Sequence, residues 1–266
     1  MTTLMMGVLA MQLGARPPAE VVQRFEEHTF HYTGGSYDNA PFKYRLLKPA
    51  QLTEGKKYPL VLFLHGAGER GDDNQSQLQY FPQMMSEPEY RQRHECFLLA
   101  PQCPTGRWWG AARRRGEDAA EENTAGHPSQ AALGMLQECL EKYPIDRKRV
   151  YLTGLSMGGY GSWDLAVRHP ELFAAVVPIC GGGDESQAAR LVGLPIWAVH
   201  GGADPVVPAE RSRRMIDAIK KADGEPKYTE LEGVGHDSWT PAYHDPEGVV
   251  PWMFEQVKSD PAKASE

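Results

Sequence analysis

Five short apolar runs, spread between residues 59 and 200, constrain the fold more than any other feature of the sequence. Each run lacks polar alternation and is followed within two residues by a glycine or a proline. Runs of this kind are typical of strands that are covered on both faces of a sheet. They lie at Pro59–Leu64, Cys96–Ala100, Val150–Thr153, Ala174–Cys180 and Pro195–His200.

Helix patterns separate these runs. They cover Ser129–Lys142, Tyr160–Arg168 and Pro208–Lys221. Strands that alternate with helices predict an α/β fold with a mostly parallel central sheet and helices on both faces. Two earlier segments, Thr29–Tyr32 and Lys43–Leu47, are predicted to be antiparallel strands at one edge of that sheet.

The chain has 266 residues, of which 41% are hydrophobic and 24% are charged. A globular chain of this size can bury a sufficient core without disulfides or metals. We predict one catalytic domain over 28–258, preceded by an N-terminal segment, 1–27, and followed by a flexible tail, 259–266. Residues 105–128 show no periodicity and are predicted to form a long active-site loop.

The formal net charge of −7 argues against a nucleic-acid partner, because binding to a phosphate backbone needs clustered lysine and arginine. The basic cluster Arg113–Arg115 is followed closely by Glu117, Asp118 and further acidic residues. We therefore interpret it as a solvated loop face.

The N-terminus leaves two interpretations open. The apolar run Leu4–Leu13 resembles part of an export signal, but no lysine or arginine precedes it, and a short surface helix fits equally well. An export signal would make the protein secreted or periplasmic, and a surface helix would make it cytoplasmic. No stretch approaches the ~18 apolar residues of a membrane span, so no stable membrane insertion is expected.

The cysteine and histidine patterns do not predict a metal site. The four cysteines, Cys96, Cys103, Cys139 and Cys180, show no C-x-x-C spacing, and the histidines do not pair with carboxylates at ligand spacing. We expect no metal and no cofactor. Spacing alone leaves any disulfide pairing open.

The most specific motif is Gly154–Gly158, which reads GLSMG and matches G-x-S-x-G. An apolar strand precedes it and a helix pattern follows it, as the motif requires. A tight strand-to-helix turn holds the serine in a strained backbone conformation and exposes its hydroxyl above the sheet. Ser156 is therefore the predicted nucleophile, with a helix N-terminus aimed at the developing negative charge.

A serine nucleophile needs a general base and an acid that orients the base, here in the chain order Ser, Asp, His. Asp204 follows the run that ends at His200, and His236 follows a probable last strand over Tyr228–Leu231. Both have glycines nearby, as loops that converge on one point need. They are the predicted acid and base.

Other residues compete for these two roles. Asp184 and Asp237 are alternative acids, although Asp237 is too close to the histidine in sequence to reach its far nitrogen. His65, His200 and His244 are alternative bases at less suitable positions.

The oxyanion donors are expected in the loop after an early strand. His65 begins such a loop, and the small residues that follow allow the backbone amides to approach a substrate oxygen. We predict donors at Ala67 and Met157, with Gly68 as a third candidate. His65 itself is expected to brace the loop through a hydrogen bond.

Four aromatic side chains near these loops are candidates for substrate binding. They are Trp108 and Trp109 in the long loop, Tyr160 at the start of the nucleophile helix and Trp239 after His236. Aromatic rings in such loops can stack on an acyl or aromatic group, or they can simply pack the loop.

Three segments together resemble a known group of enzymes: Leu64–Gly71, Ala100–Cys103 and Gly154–Tyr160. They are similar to bacterial phospholipase/carboxylesterase and polyhydroxybutyrate-depolymerase-like carboxylesterases, whose architecture feruloyl and acetylxylan esterases share. The resemblance spans about 28–258. It implies an α/β-hydrolase fold, no metal, and acyl transfer through a covalent acyl-enzyme.

The predicted function is that of a serine carboxylesterase acting on short-chain acyl, feruloyl or acetyl esters, either as small molecules or linked to a polymer. The serine, in place of cysteine, argues against a dienelactone hydrolase. Two alternatives remain: a prolyl-oligopeptidase-like peptidase and a non-catalytic ligand-binding α/β-hydrolase. The oligomeric state is left open.

Overall fold

The structure is a computed structural model that describes residues 16–35, 37–110 and 127–259. Its strands are β1 (Glu26–Gly34), β2 (Tyr37–Leu47), β3 (Tyr58–Leu64), β4 (Phe97–Pro101), β5 (Ile145–Leu155), β6 (Ala175–Ile179), β7 (Trp197–Gly201) and β8 (Lys227–Leu231). Its helices are α1 (Ala19–Gln23), α2 (Phe81–Ser86), α3 (Pro88–Arg93), α4 (His127–Lys142), α5 (Met157–Arg168), α6 (Glu210–Lys221), α7 (Trp239–His244) and α8 (Val249–Glu255).

The eight strands form one sheet in the order β1-β2-β4-β3-β5-β6-β7-β8. β1 pairs with β2, and β2 with β4, in antiparallel fashion, while the pairs from β4 through β8 are parallel. The predicted fold class and the antiparallel edge are both confirmed. The parallel arrangement brings the carboxyl ends of β3 to β8 to one edge, where open α/β sheets place their sites.

The core lies in two layers, one on each face of the sheet. Alternate residues of β3 show the division, since Leu60 and Leu62 pack into one layer and Val61 and Phe63 into the other. Helices α4, α5 and α6 cover the first layer, and α1, α2, α7 and α8 cover the second. Strands buried on both faces explain why the sequence shows apolar runs in place of alternation.

The five short helices α1, α2, α3, α7 and α8 were not predicted from the sequence. Each has between five and seven residues, too few to show a helical period. The apolar run Leu4–Leu13, the tail from residue 260 and most of the loop 105–128 lie outside the described residues. Within the described part of the chain, no helix is long and apolar enough to cross a membrane.

The turn between β5 and α5 is packed against the end of β3 with almost no free space. A Cβ added to Gly158 would lie 1.8 Å from the carbonyl oxygen of Leu64, and one added to Gly154 would lie 2.5 Å from the carbonyl oxygen of Gly158. Side chains are therefore excluded at both positions, and the backbone of the turn rests directly on the neighbouring strand.

We expect Gly158→Ala to lower the free energy of unfolding by more than about 3 kcal/mol, because the backbone in contact with it cannot move aside cheaply. Gly235→Ala is the matched control, since a Cβ there has no heavy atom within 4 Å. Urea denaturation of both variants checks this prediction. Equal losses in the two variants would contradict it.

Candidate active site

Ser156 occupies the tight turn between β5 and α5. Its backbone has a φ of 52° and a ψ of −116°, a strained conformation for a residue with a side chain. The amide of Ser156 donates to the carbonyl of Ile179 at 3.0 Å and also lies 3.3 Å from the Sγ of Cys180. These contacts with the end of β6 hold the turn and leave the serine hydroxyl free to face the loops above the sheet.

The structure brings Ser156, His236 and Asp204 together from three separate loops. The Nε2 of His236 lies 3.0 Å from the Oγ of Ser156, and its Nδ1 lies 2.7 Å from the Oδ2 of Asp204. The side chain of Asp204 is fully buried, whereas that of His236 is 21% exposed. The serine hydroxyl, the imidazole and the carboxylate thus form one continuous hydrogen-bonded chain.

Asp204 is held from behind by its own loop. Its Oδ1 accepts hydrogen bonds from the amides of Val206 and Val207 at 2.8 and 2.9 Å. Behind it, the buried Nε2 of His200 lies 2.9 Å from the carbonyl of Val207 and 3.4 Å from the Oδ2 of Asp204. Burial lowers the pKa of His200, which favours the neutral imidazole. His200 therefore packs beneath the site and braces the loop of Asp204.

The alternative acids and the alternative base His244 have other partners. Asp184 accepts from the amide and hydroxyl of Ser186, and Asp237 accepts from the amide and hydroxyl of Thr240 at the start of α7. The Nδ1 of His244 bonds to the carbonyl of Thr240. Each of these side chains bonds within a local turn or helix and does not take part in the hydrogen-bonded series that ends at Ser156.

The loop after β3 is fixed by His65, as expected. Its Nε2 accepts from the amide of Cys103 at 2.9 Å, which leaves Nδ1 to donate to the carbonyl of Gly66 at 2.6 Å. Burial lowers the pKa of His65 to about 4, so the ring is neutral near pH 7. Arg70 adds a second tie, donating from its Nε to the carbonyl of Ala67 at 2.9 Å.

A cavity of about 370 Å³ opens above Ser156. Its walls include the three predicted oxyanion residues Ala67, Gly68 and Met157, and three of the predicted aromatic residues, Trp108, Tyr160 and Trp239. The ring of Trp239 packs edge-on against the imidazole of His236, with 5.2 Å between the ring centroids. Seven further wall residues were not predicted from the sequence: Gly66, Glu69, Arg70, Tyr80, Leu155, Val206 and Val207.

Trp109 requires a correction. It does not line the cavity but lies in the core at 1% exposure, with its Nε1 donating to the carbonyl of His65 at 2.9 Å. Its ring also packs edge-on against the imidazole of His65. The neighbouring Trp108 is 38% exposed and stacks with the guanidinium of Arg70. Trp109 thus supports the loop from below, and of the two only Trp108 can reach a ligand in the cavity.

Glu69 is the least expected of the wall residues. It is a carboxylic acid at 6% exposure in the predicted oxyanion loop, and burial raises its pKa to about 7. The sequence shows only a charged residue in a glycine-rich loop, which normally indicates a solvated surface. Its burial depends on the way the loop folds back on the end of β5.

One group of described residues has a spacing compatible with metal binding: Cys180, Asp204 and His236, whose ligand atoms lie within 4.8 Å of one another. The Nδ1 of His236 and the Oδ2 of Asp204, which a metal would need as ligands, are already hydrogen-bonded to each other. Burial raises the pKa of the Cys180 thiol above its usual range, which disfavours the thiolate that a metal requires. The donor set fits the hydrogen-bonded arrangement better than a metal.

An eight-stranded, mostly parallel sheet with this strand order and a strained serine in the tight turn after β5 has the α/β-hydrolase architecture. A model of the Phospholipase/Carboxylesterase family matches residues 50–245, well over half of the chain. The protein therefore belongs to the phospholipase/carboxylesterase family. This membership supports a carboxylic ester hydrolase.

Solved structures with the same fold include a thermostable esterase that is 39% identical, with a TM-score of 0.81 over 90% of this chain and 64% of that chain. A ferulic acid esterase is 18% identical, with a TM-score of 0.62 over 82% of this chain and 93% of that chain. An acylaminoacyl peptidase of Pyrococcus horikoshii is 17% identical, with a TM-score of 0.58 over 82% of this chain and 39% of that chain. The last two show the fold alone.

Among curated relatives, a putative carboxymethylenebutenolidase of Escherichia coli is 28% identical over 134 residues, which are 45% of this chain and 49% of the relative. One from Yersinia pestis is 25% identical over 129 residues, 41% of this chain and 45% of the relative. The chain spans about half the length of the curated relatives it matches.

The buried His65 predicts a pH dependence of stability. Its pKa is about 4 in the folded protein and about 6.5 in the unfolded chain. As the pH falls from 6.5 to 4, the unfolded chain takes up a proton that the folded protein excludes, so the folded state loses stability. The loss reaches about 3 kcal/mol at pH 4.

Urea denaturation at pH 7 and at pH 4 checks this for the wild type and for His65→Gln. The wild type is expected to lose more stability than His65→Gln on acidification, because the variant carries no titrating ring there. His244→Gln, which removes an exposed histidine, serves as the control and should follow the wild type. An equal acid loss in the wild type and His65→Gln would contradict the prediction.

Proposed function

We propose that this protein is a serine carboxylesterase with Ser156 as nucleophile, His236 as general base and Asp204 as the orienting acid. One observation carries the proposal: the hydrogen bonds of 3.0 and 2.7 Å that join these side chains into one chain at the floor of a cavity. Such a chain activates a serine hydroxyl that is otherwise a poor nucleophile.

The reaction follows from this geometry. The Oγ of Ser156 attacks the ester carbonyl while the Nε2 of His236 takes the hydroxyl proton. The buried carboxylate of Asp204 holds Nδ1–H and stabilises the imidazolium that forms. His236 then protonates the alcohol as it leaves, and an acyl group remains on Ser156. Water attacks that acyl-enzyme with His236 again as base, which releases the acid and restores the serine.

The tetrahedral intermediates need hydrogen-bond donors for their negatively charged oxygen. We assign this role to the amides of Ala67 and Met157, with the amide of Gly68 as a third candidate. All three residues line the cavity beside Ser156, and Met157 begins the twelve-residue helix α5. The positive end of the dipole of α5 therefore lies at the site.

The size and the walls of the cavity favour small acyl groups. About 370 Å³ accommodates a short acyl chain or one aromatic ring, and Trp108, Tyr160 and Trp239 offer ring faces or edges for contact. The substrate is proposed to be a short-chain acyl, acetyl or feruloyl ester, free or attached to a polymer.

Two alternative functions remain to be tested, a peptidase and a non-catalytic ligand-binding protein. A peptidase activity is suggested by the peptidases of the same fold, although those chains are more than twice as long as the part that this chain covers. A ligand-binding protein without catalysis would have no need of a serine, base and buried acid in hydrogen-bond contact. The curated relatives add a third substrate type to test, a carboxymethylenebutenolide, which is a cyclic ester.

The nucleophile is tested with a panel of 4-nitrophenyl acetate, butyrate and a long-chain ester, methyl ferulate, a carboxymethylenebutenolide and an aminoacyl anilide. Wild type is expected to hydrolyse the short-chain or feruloyl esters fastest. Ser156→Ala is expected to lose at least about 10⁴-fold in kcat, because the covalent route is closed. Ser186→Ala, at an exposed serine that bonds to Asp184 within its own turn, is the control and should retain activity.

Turnover that survives in Ser156→Ala would overturn the nucleophile assignment. An anilide cleaved faster than every ester would favour the peptidase. Failure of the wild type on the whole panel would favour the ligand-binding alternative.

The acid is tested separately. Asp204→Asn is expected to lower kcat by about 10³–10⁴-fold, because the amide favours the wrong tautomer of His236 and leaves the imidazolium without its counter-charge. Asp184→Asn is the matched control and should change kcat little, since among the described residues Asp184 bonds within its own turn. Steady-state kinetics with the best ester substrate measures kcat for both variants. A larger loss of kcat in Asp184→Asn than in Asp204→Asn would show that the acid is wrongly assigned.

A further inference from the structure

Glu69 places a carboxyl group inside the loop that supplies the proposed oxyanion donors. It is the last residue of the 3₁₀ turn Ala67–Glu69, its side chain is buried, and it lines the same cavity as Ser156. The carbonyl of Glu69 accepts from the Nε2 of Gln102 at 3.1 Å, which fixes the backbone of the turn. The carboxyl group is thus a fixed part of the site.

The carboxyl group is buried in the loop, and one of its two oxygens is unpartnered. The nearby amides of Gly66 and Glu69 lower its pKa, but burial raises it by more. Its Oε2 is buried and has no hydrogen-bond partner among the described residues. A Cβ on Gly66 would lie 2.9 Å from this Oε2 and also 2.9 Å from the side chain of Leu155, so the oxygen lies beside the residue that precedes Ser156.

The charged and titratable groups around Glu69 do not neutralise it. They are Arg70 and His65 on the same loop, Tyr80 before α2, and His236 and Asp237 after β8. The guanidinium of Arg70 bonds instead to the carbonyls of Ala67 and Arg107 and stacks on Trp108. His65 is neutral, and the pKa of the Tyr80 phenol is raised first by burial and then by Glu69 and Asp237.

Burial favours the protonated acid more strongly than the charge of Arg70 favours the carboxylate, and it raises the pKa of Glu69 to about 7. Above that pH the carboxyl group ionises within the loop that supplies the proposed oxyanion donors. A negative charge at this place repels the oxyanion that the amides of the same loop must stabilise, and the repulsion is strong because water is largely excluded.

We propose that Glu69 is a positioning residue of the oxyanion loop whose neutral form is the working state, and that its ionisation sets the alkaline limit of ester hydrolysis. This inference rests on the proposed function. No bond to substrate is formed or broken by Glu69. It packs beside Gly66, keeps the loop free of charge, and loses its proton to solvent as the pH rises.

The test is a pH–rate profile between pH 5.5 and 9, recorded by pH-stat titration with the ester that the panel identifies. Glu69→Gln keeps the shape of the side chain but cannot ionise. For the wild type, kcat is expected to fall by about tenfold across an alkaline limb that begins near pH 7. The acid side of the profile should be the same in every variant.

In Glu69→Gln the alkaline limb is expected to disappear, so that kcat stays level from neutral pH to pH 9. Glu232→Gln, which removes an exposed carboxylate after β8, is the matched control and should keep the wild-type profile. An alkaline limb that is unchanged in Glu69→Gln would overturn the inference. A purely structural role of Glu69 would lower kcat at every pH without changing the shape of the profile, and that result would overturn it too.

A second measurement does not depend on the folding of a variant. Infrared difference spectra of the wild type, titrated from pH 5.5 to 9, should show the carbonyl band of one protonated carboxylic acid that disappears in parallel with kcat. Absence of such a band above pH 6 would also overturn the inference. Loss of all ester turnover in the wild type would instead count against the proposed function, so the two failures are distinguishable.

Discussion

The direct contact between the backbone of the nucleophile turn and the end of β3 is the constraint on which the rest of the site depends. Gly158 lies against the carbonyl of Leu64 so closely that no side chain fits between them. This contact fixes α5 relative to β3, and it therefore fixes Ser156 relative to the loop that starts at His65. The proposed nucleophile and the proposed oxyanion donors share one rigid support.

Two buried histidines stabilise the loops on either side of that support in the same manner. His65 directly follows β3 and bridges Gly66 and Cys103, while His200 in β7 bridges Val207 and Ser212. Burial lowers the pKa of both rings, so that each serves as a neutral hydrogen-bonding brace and not as a base. His236 differs because it is partly exposed and has its own buried carboxylate, which is the environment that a general base requires.

Features that depend on local order along the chain were predictable from the sequence. The strands were visible as apolar runs because both faces of the sheet are covered, and the positions of Ser156, Asp204 and His236 followed from the strands that precede them. Features that depend on how a loop folds back were not predictable. Adjacent tryptophans take opposite roles, with Trp108 at the cavity and Trp109 in the core, and nothing in their spacing distinguishes them. The short helices could not be predicted either, because a helix of five to seven residues is too short to show a helical period in the sequence.

The electrostatics of the cavity depend on the side chains that hold the loop after β3. A loop whose amides are proposed to face a substrate oxygen needs side chains to hold its shape. Arg70 binds the carbonyl of Ala67, Gln102 binds the carbonyl of Glu69, and the buried carboxyl group of Glu69 packs beside Gly66. At that position a neutral acid is compatible with the proposed oxyanion, whereas a negative charge opposes it. Burial keeps the acid neutral, and it does so only below the pH at which the acid ionises.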